Sequence, residues 1–421
     1  MLAPPVIVEQ RGGMQCDDPE TFGLDRERLA RIDGFLQENY VGPGLLPCVQ
    51  LLVARDGVPV HFVSLGVQRA GSRAPLRHDA IFRIASMTKP VTSLAFMMLA
   101  EEGKTSLDQP VHAVLPELER VGVYRSGGGD GAPFETMPPE RPMLMLDLLR
   151  HTSGLTYDFQ NRTPVDAFYR RRGIATLRGK LPLEAFVAAL GDVPLEFSPG
   201  TAWNYSVSTD VLALVVQRLA GEPYERFIER RIFAPLGMTD TAFHVPPEKI
   251  ERLTDAWVLD PKRGTILFDA AEETSWAAPP VFVSGGGGLV STVDDYHRFC
   301  WMLLGRGTFG EIRLVGRKTF DLMTANHLPG GADLTELSRS MFSEAIYSGQ
   351  GFGLGFGINS DPVKAMAPGS AGEFYWGGIF STYFYVDPVE RLSAVFMTQL
   401  MPSSSYPVRR QLKTMIYSAL R

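Results

Sequence analysis

Between Phe82 and Pro90 the chain reads Phe-Arg-Ile-Ala-Ser86-Met-Thr-Lys89-Pro, which sets a hydroxyl and an amine three residues apart. A neutral serine hydroxyl is a weak nucleophile and needs an adjacent base, or a charge that depresses its pKa, before it attacks a carbonyl. A lysine three residues on shares a helix face with the serine and supplies either, as free amine or as ammonium. Covalent acyl transfer on Ser86 is the chemistry that this pair implies. The element that must hold it is the run VTSLAFMMLAEEG, apolar almost all round until Glu101-Glu102 and stopped at Gly103. A helix apolar on every face is buried. Pro90 is tolerated only in the first turn, so the helix starts close to Ser86. There the unpaired N–H groups and the positive end of the helix dipole stabilise developing negative charge.

Other elements frame this helix. Residues 22–40 read as an amphipathic helix on Leu24, Leu29, Ile32 and Phe35. Residues 48–66 form two β-rich runs around Arg55-Asp56-Gly57, and residues 372–399 form a second β hairpin turning at Asp387-Pro388. The tail from 405 reads as a closing helix. Hairpins near both ends predict an antiparallel sheet assembled from N- and C-terminal segments. The middle of the chain is mainly helical, including 206–220 before the stop at Gly221, with a long loop over 126–142. The expectation is therefore an α/β domain from residues 1–105 and 280–421, interrupted by a mainly helical domain at 106–279. A cleft at the junction would hold the site.

Composition narrows the possibilities. With 45 % hydrophobic and 21 % charged residues in 421, the chain is globular. A net charge of −6 without basic clusters excludes a nucleic-acid reader, and no apolar run is long enough to span a bilayer. The opening MLAPPVIVEQRGGMQCDDPE has neither a basic n-region nor an apolar h-region, so no secretory signal is expected. Cys16, Cys48 and Cys300 are few, odd in number and far apart, which points to reduced thiols and a cytoplasmic setting. None of the seven histidines pairs at metal-binding spacing, and the run Gly285–Gly288 lacks a following Lys-Ser/Thr, so neither a metal, nor a P-loop, nor any cofactor is expected. His151 would serve a Ser-His-Asp triad, but the chain holds no G-x-S-x-G elbow, and His151 is read as a structural loop residue.

Ser86-Met87-Thr88-Lys89, Tyr205-Ser206-Val207 and Trp376-Gly377-Gly378, with LLRHTSGLTY at 148–157 and VSGGGGLVSTVDDYHRF at 283–299, occur in the order and spacing of a known group. Through them the chain resembles the serine β-lactamase and penicillin-binding-protein superfamily, most nearly its esterase branch, the family VIII carboxylesterases. That resemblance implies an α/β-plus-α fold with an antiparallel sheet flanked by helices. It also implies that Ser86, Lys89 and Tyr205 are catalytic, and that the backbone N–H groups of Ser86 and Ile379 form an oxyanion hole. Tyr205 fits a base if the Lys89 ammonium lowers its phenol pKa; whether Tyr205 or a neutral Lys89 takes the Ser86 proton is open at this stage. Gly377 and Gly378 leave room for close approach of substrate to the strand.

Two departures separate the chain from β-lactamases. Val207 stands where they carry the Asn of Tyr-x-Asn, and Trp376-Gly377-Gly378 stands where they carry Lys-Thr-Gly. Both lost groups are polar, and an indole favours an apolar acyl or alcohol group, so Trp376, Gly377, Gly378 and Val207 are expected to line a pocket for small, uncharged, short-chain esters. An acyltransferase using the same intermediate, a β-lactamase or D-Ala-D-Ala peptidase, and an inactive binding protein on the same scaffold are the alternatives.

Overall fold

Val49, Leu51 and Val53 of strand β1 (Cys48–Arg55) face one side of a sheet, while Cys48, Leu52 and Ala54 face the other, and both sets are buried. Successive strand side chains point to opposite faces, so an apolar run of this length has to be covered on both. The chain is described here from a computed structural model covering residues 14–129, 132–174, 177–339 and 347–421; the first thirteen residues of the segment read for a secretory signal lie outside it. β1 turns through Asp56 and Gly57, both at positive φ, into β2 (Val58–Gly66). A side chain at Gly57 would run into the Trp301 indole, so that turn requires glycine twice over.

Five further strands complete the sheet: β3 (Gln350–Phe352), β4 (Gly357–Asn359), β5 (Glu373–Gly377), β6 (Tyr383–Asp387) and β7 (Leu392–Met397). The order is β3-β4-β5-β6-β7-β1-β2, antiparallel throughout, and β1 pairs with β7 from Gln50 opposite Met397 to Arg55 opposite Leu392. The sheet is thus closed by segments from the two ends of the chain. The helices that bear on the site are α1 (Arg26–Leu36), α2 (Thr88–Glu101), α3 (Ser208–Ala220), α4 (Val293–Leu304) and α5 (Val408–Tyr417). α1 and α5 cover one face with Leu29, Ile32, Leu36, Leu412 and Ile416. The other face carries α4, whose Tyr296 ring lies 5.1 Å from Phe384, and beyond it α2 packed on α3. Short helices at Met145–Leu149, Pro164–Arg172, Leu183–Leu190 and Tyr224–Ile228 lie in the middle of the chain and share that core.

Three local expectations are corrected. Residues 372–399 make a three-stranded meander rather than one hairpin, because β5 ends at the glycine pair. A tight turn follows, with Gly378 N–H on Thr382 O, Ser381 N–H on Gly378 O, and Ser381 at φ 68°. The apolar Ile379-Phe380 inside that turn disguises it as strand. Part of the loop at 126–142 is a ribbon, Val123–Gly127 paired with Phe134–Met137; Asp130 and Gly131 lie outside the described residues. The first helix starts only after Asp25, whose carboxylate caps the Arg28 N–H at 3.0 Å, leaving Leu24 outside it.

Candidate active site

The short strand Phe82–Arg83 pairs with Val290–Ser291 and runs into a tight turn, Ala85–Met87, that opens directly into α2. Ala85 is forced to φ 43°, a left-handed conformation costly for any residue with a side chain, and Ser86 follows it at the mouth of a cavity. The Ala85 carbonyl is held by the Thr88 hydroxyl at 2.7 Å. Neither the Ser86 N–H nor the Ile379 N–H has a hydrogen-bond acceptor among the described residues, and both residues line the cavity.

Lys89 is 1 % exposed. Its Nζ donates to Ser86 Oγ at 3.1 Å and to Gly286 O at 2.6 Å, and it stands 4.6 Å from the centre of the Tyr205 ring and 5.5 Å from that of Tyr157. Burial pushes the amine down to about 7, against the pull of the Asp210 carboxylate toward the charged form. Asp210, in the first turn of α3, is itself fully buried and raised by burial, a rise that the Lys89 charge opposes. Its Oδ1 accepts from the Ser284 hydroxyl and from the Gly286 N–H at 3.0 Å. One peptide, that of Gly286, is therefore anchored by Asp210 while the next carbonyl on the same residue receives Lys89.

Tyr205 departs from expectation. Burial raises its phenol well above the ordinary value, and the hydrogen bond it shares with Ser86 offsets only part of the rise. Lys89 Nζ lies over the ring face, and the phenol is nevertheless raised. Behind the ring, His151 sits 4.9 Å away at φ 59°, with Nδ1 3.3 Å from Ser206 Oγ, and a chain of hydroxyls continues through Ser208 to Ser153. His151 is thus a packing and hydrogen-bonding support under Tyr205, held neutral by burial.

Ser86, Tyr157, Trp203, Tyr205, Trp376 and Ile379 are among the residues lining a cavity of about 570 Å³. The Trp376 ring centre is 5.5 Å from that of Tyr205 and 5.2 Å from that of Phe352. Gly377 and Gly378 also border the cavity, but the space that side chains would occupy there is filled by protein. A Cβ at Gly377 would come within 2.9 Å of Arg409 Cζ, and one at Gly378 within 2.4 Å of Ile84 O. The glycine pair therefore leaves room for the Arg409 guanidinium and the Ile84 backbone on the side where a Cβ would point. Val207 does not reach the cavity: it is wholly buried, caps the start of α3, and gives its N–H to Thr156 O. Sequence reasoning passed over Asp210, Tyr157 and Arg409; a carboxylate inside the apolar run of α3 was the one local signal among them.

A family model described as Beta-lactamase matches residues 37–415. An uncharacterized protein of Mycobacterium tuberculosis is 36% identical over 345 residues, 81% of this chain and 82% of its own length. Esterase EstB of Burkholderia gladioli is 28% identical over 95% of this chain and 98% of its own. Among solved structures, EstCE1, a hydrolase with promiscuous acyltransferase activity, superposes with a TM-score of 0.76 at 24% identity, covering 93% of this chain and 98% of that one, and so shares the fold.

Proposed function

Because the chain belongs to the beta-lactamase family, we propose that it is a carboxylesterase of that family's esterase branch, working through an acyl-enzyme on Ser86. The observation that carries this reading is Lys89 Nζ at 3.1 Å from Ser86 Oγ with its pKa brought to about 7, which makes the free amine available near neutrality. Lys89 takes the Ser86 proton as Oγ attacks the ester carbonyl, and the negative oxygen is received by the N–H groups of Ser86 and Ile379. The Tyr205 hydroxyl, raised by burial and so a donor rather than a base, passes a proton to the departing alcohol and is replenished from Lys89. Water then enters by the reverse path and releases the acid.

The aromatic wall of Tyr157, Trp203 and Trp376 supports an uncharged ester. So does the engagement of the nearby cations with protein acceptors: Lys413 with Glu373 at 2.7 Å, and Arg410 with Met366 O. The lining also supports dividing the molecule at 105 and 280, since Ser86 and Trp376 come from the outer segments, and Tyr157 and Tyr205 from the middle one. A second reading, transfer of the acyl group to an alcohol, is favoured by the cavity. About 570 Å³ lies within the range that holds drug-sized ligands and exceeds what a short-chain ester fills.

Intact-mass analysis after a fluorophosphonate, followed by a panel of p-nitrophenyl esters with and without an added alcohol, tests both readings. One adduct, lost in Ser86→Ala together with ester turnover, is the expected result. An adduct or turnover that survives Ser86→Ala removes Ser86 from the reaction.

A further inference from the structure

The arginine at the start of α5, Arg409, lies against the turn that carries the Ile379 N–H. Arg409 Nη2 donates to Gly378 O at 2.8 Å and to Thr382 O at 2.8 Å, bridging the two ends of the turn that follows β5. The same turn is closed internally by Gly378 N–H on Thr382 O at 2.9 Å and Ser381 N–H on Gly378 O at 3.0 Å. The carbonyl of Gly378 and the N–H of Ile379 belong to one peptide group. That group is planar, and in the trans form its C=O and N–H point in opposite directions. Fixing the carbonyl on the α5 side therefore aims the Ile379 N–H away from α5.

We propose that Arg409 is a positioning residue for the reaction, orienting and polarising the Gly378–Ile379 peptide so that the Ile379 N–H serves as an oxyanion donor. The inference rests on the Ser86 acyl-enzyme reading. A guanidinium on the carbonyl withdraws charge through the amide and strengthens the N–H at its other end, as hydrogen bonds in series do in a low-dielectric surrounding. Gly377 belongs to the same device, since only glycine leaves the guanidinium its place beside the strand end. The Ser86 donor is built alike: its peptide carbonyl, Ala85 O, is fixed by the Thr88 hydroxyl at 2.7 Å. Both N–H groups are thus held through the carbonyl of their own peptide, one by a hydroxyl and one by a cation.

Losing an interaction made only in the transition state lowers kcat and kcat/KM together and spares KM. Arg409→Ala should lower kcat about 10- to 100-fold, less than the loss from deleting a donor outright, with KM changed less than about threefold. Ethylguanidinium in the assay should restore part of kcat, which it would not do for a side chain that only holds the fold. If Arg409→Ala does not fold, Gly377→Ala carries the test, because its Cβ displaces the guanidinium; the same fall in kcat is expected. Unchanged kcat, a raised KM with kcat intact, or a loss in folded Arg409→Ala that ethylguanidinium leaves unmoved overturns the proposal. Fluorophosphonate labelling of the unsubstituted protein reports on Ser86 separately: a labelled parent with an unaffected Arg409 variant rejects only the arginine's role, and an unlabelled parent rejects the acyl-enzyme itself.

Discussion

Burial removes water from the Lys89 ammonium, while Asp210 supplies a negative field that partly replaces it, and the balance brings the amine to about 7. Only the free amine can accept the Ser86 proton, so kcat/KM should rise with pH through about 7 and then level off. The dependence on Asp210 has a definite sign. The carboxylate favours the charged lysine, so Asp210→Asn should let the Lys89 pKa fall further and move the acid limb of the profile to lower pH. A pH–rate profile of the two proteins checks this, and a limb that stays in place would mean that Asp210 does not couple to Lys89. The same shift has a linkage consequence. A lysine whose folded pKa lies below its unfolded value binds fewer protons when folded, so its contribution to stability improves as pH rises from about 7 toward 10.5.

At the scale of elements, what decides the site is how three elements begin or end: α2 after the Ala85–Met87 turn, β5 at the glycine pair, and α3 after Val207. At Gly378 there is no room for a side chain, with Ile84 O 2.4 Å from where its Cβ would stand. Gly378→Ala should push the strand end off the Ser86 turn and lower kcat at least about tenfold, the order expected when an oxyanion donor is displaced. Near-UV circular dichroism that stays native alongside that loss separates a local effect from a general one. This is also where legibility ran out. Ser86 and Lys89 could be read because a lysine in the first turn of an apolar helix is a local contradiction that needs only neighbouring residues to see. Asp210 posed the same contradiction within α3, but its partners Ser284 and Gly286 lie 74 and 76 positions away, and nothing local names them. Val207 was assigned to the pocket by motif position, yet the turn into α3 points it into the core. The antiparallel sheet from both chain ends was readable from β-rich runs around turns near each end, while the turn at 378–382 was not, since it is bridged by Arg409, 31 residues on from Gly378.

Across the whole molecule, one pairing binds the rest: β1 lies between β2, its immediate successor, and β7, which follows nearly the whole of the remaining chain. The two ends of the described chain also meet, with Leu24 bridged to Leu420 and the Asp25 N–H on Ala419 O. A contact between distant residues must meet the entropy of closing the intervening loop before it returns anything, and such topologies fold slowly. During synthesis β1 emerges early and waits, with one edge unpaired, until almost everything else has been translated. A permuted chain that joins residue 421 to residue 14 through a short linker and opens at the exposed turn between Asp260 and Gly264 would leave only residues 398–421, the linker and residues 14–47 between β7 and β1. It should refold from urea several-fold faster than the parent by stopped-flow fluorescence; equal rates would show that the β1–β7 pairing forms after the rate-limiting step. In the parent chain, then, Ser86 is made early, while the strand and the helix that would complete the proposed oxyanion site beside it, β5 and α5, are among the last parts to arrive.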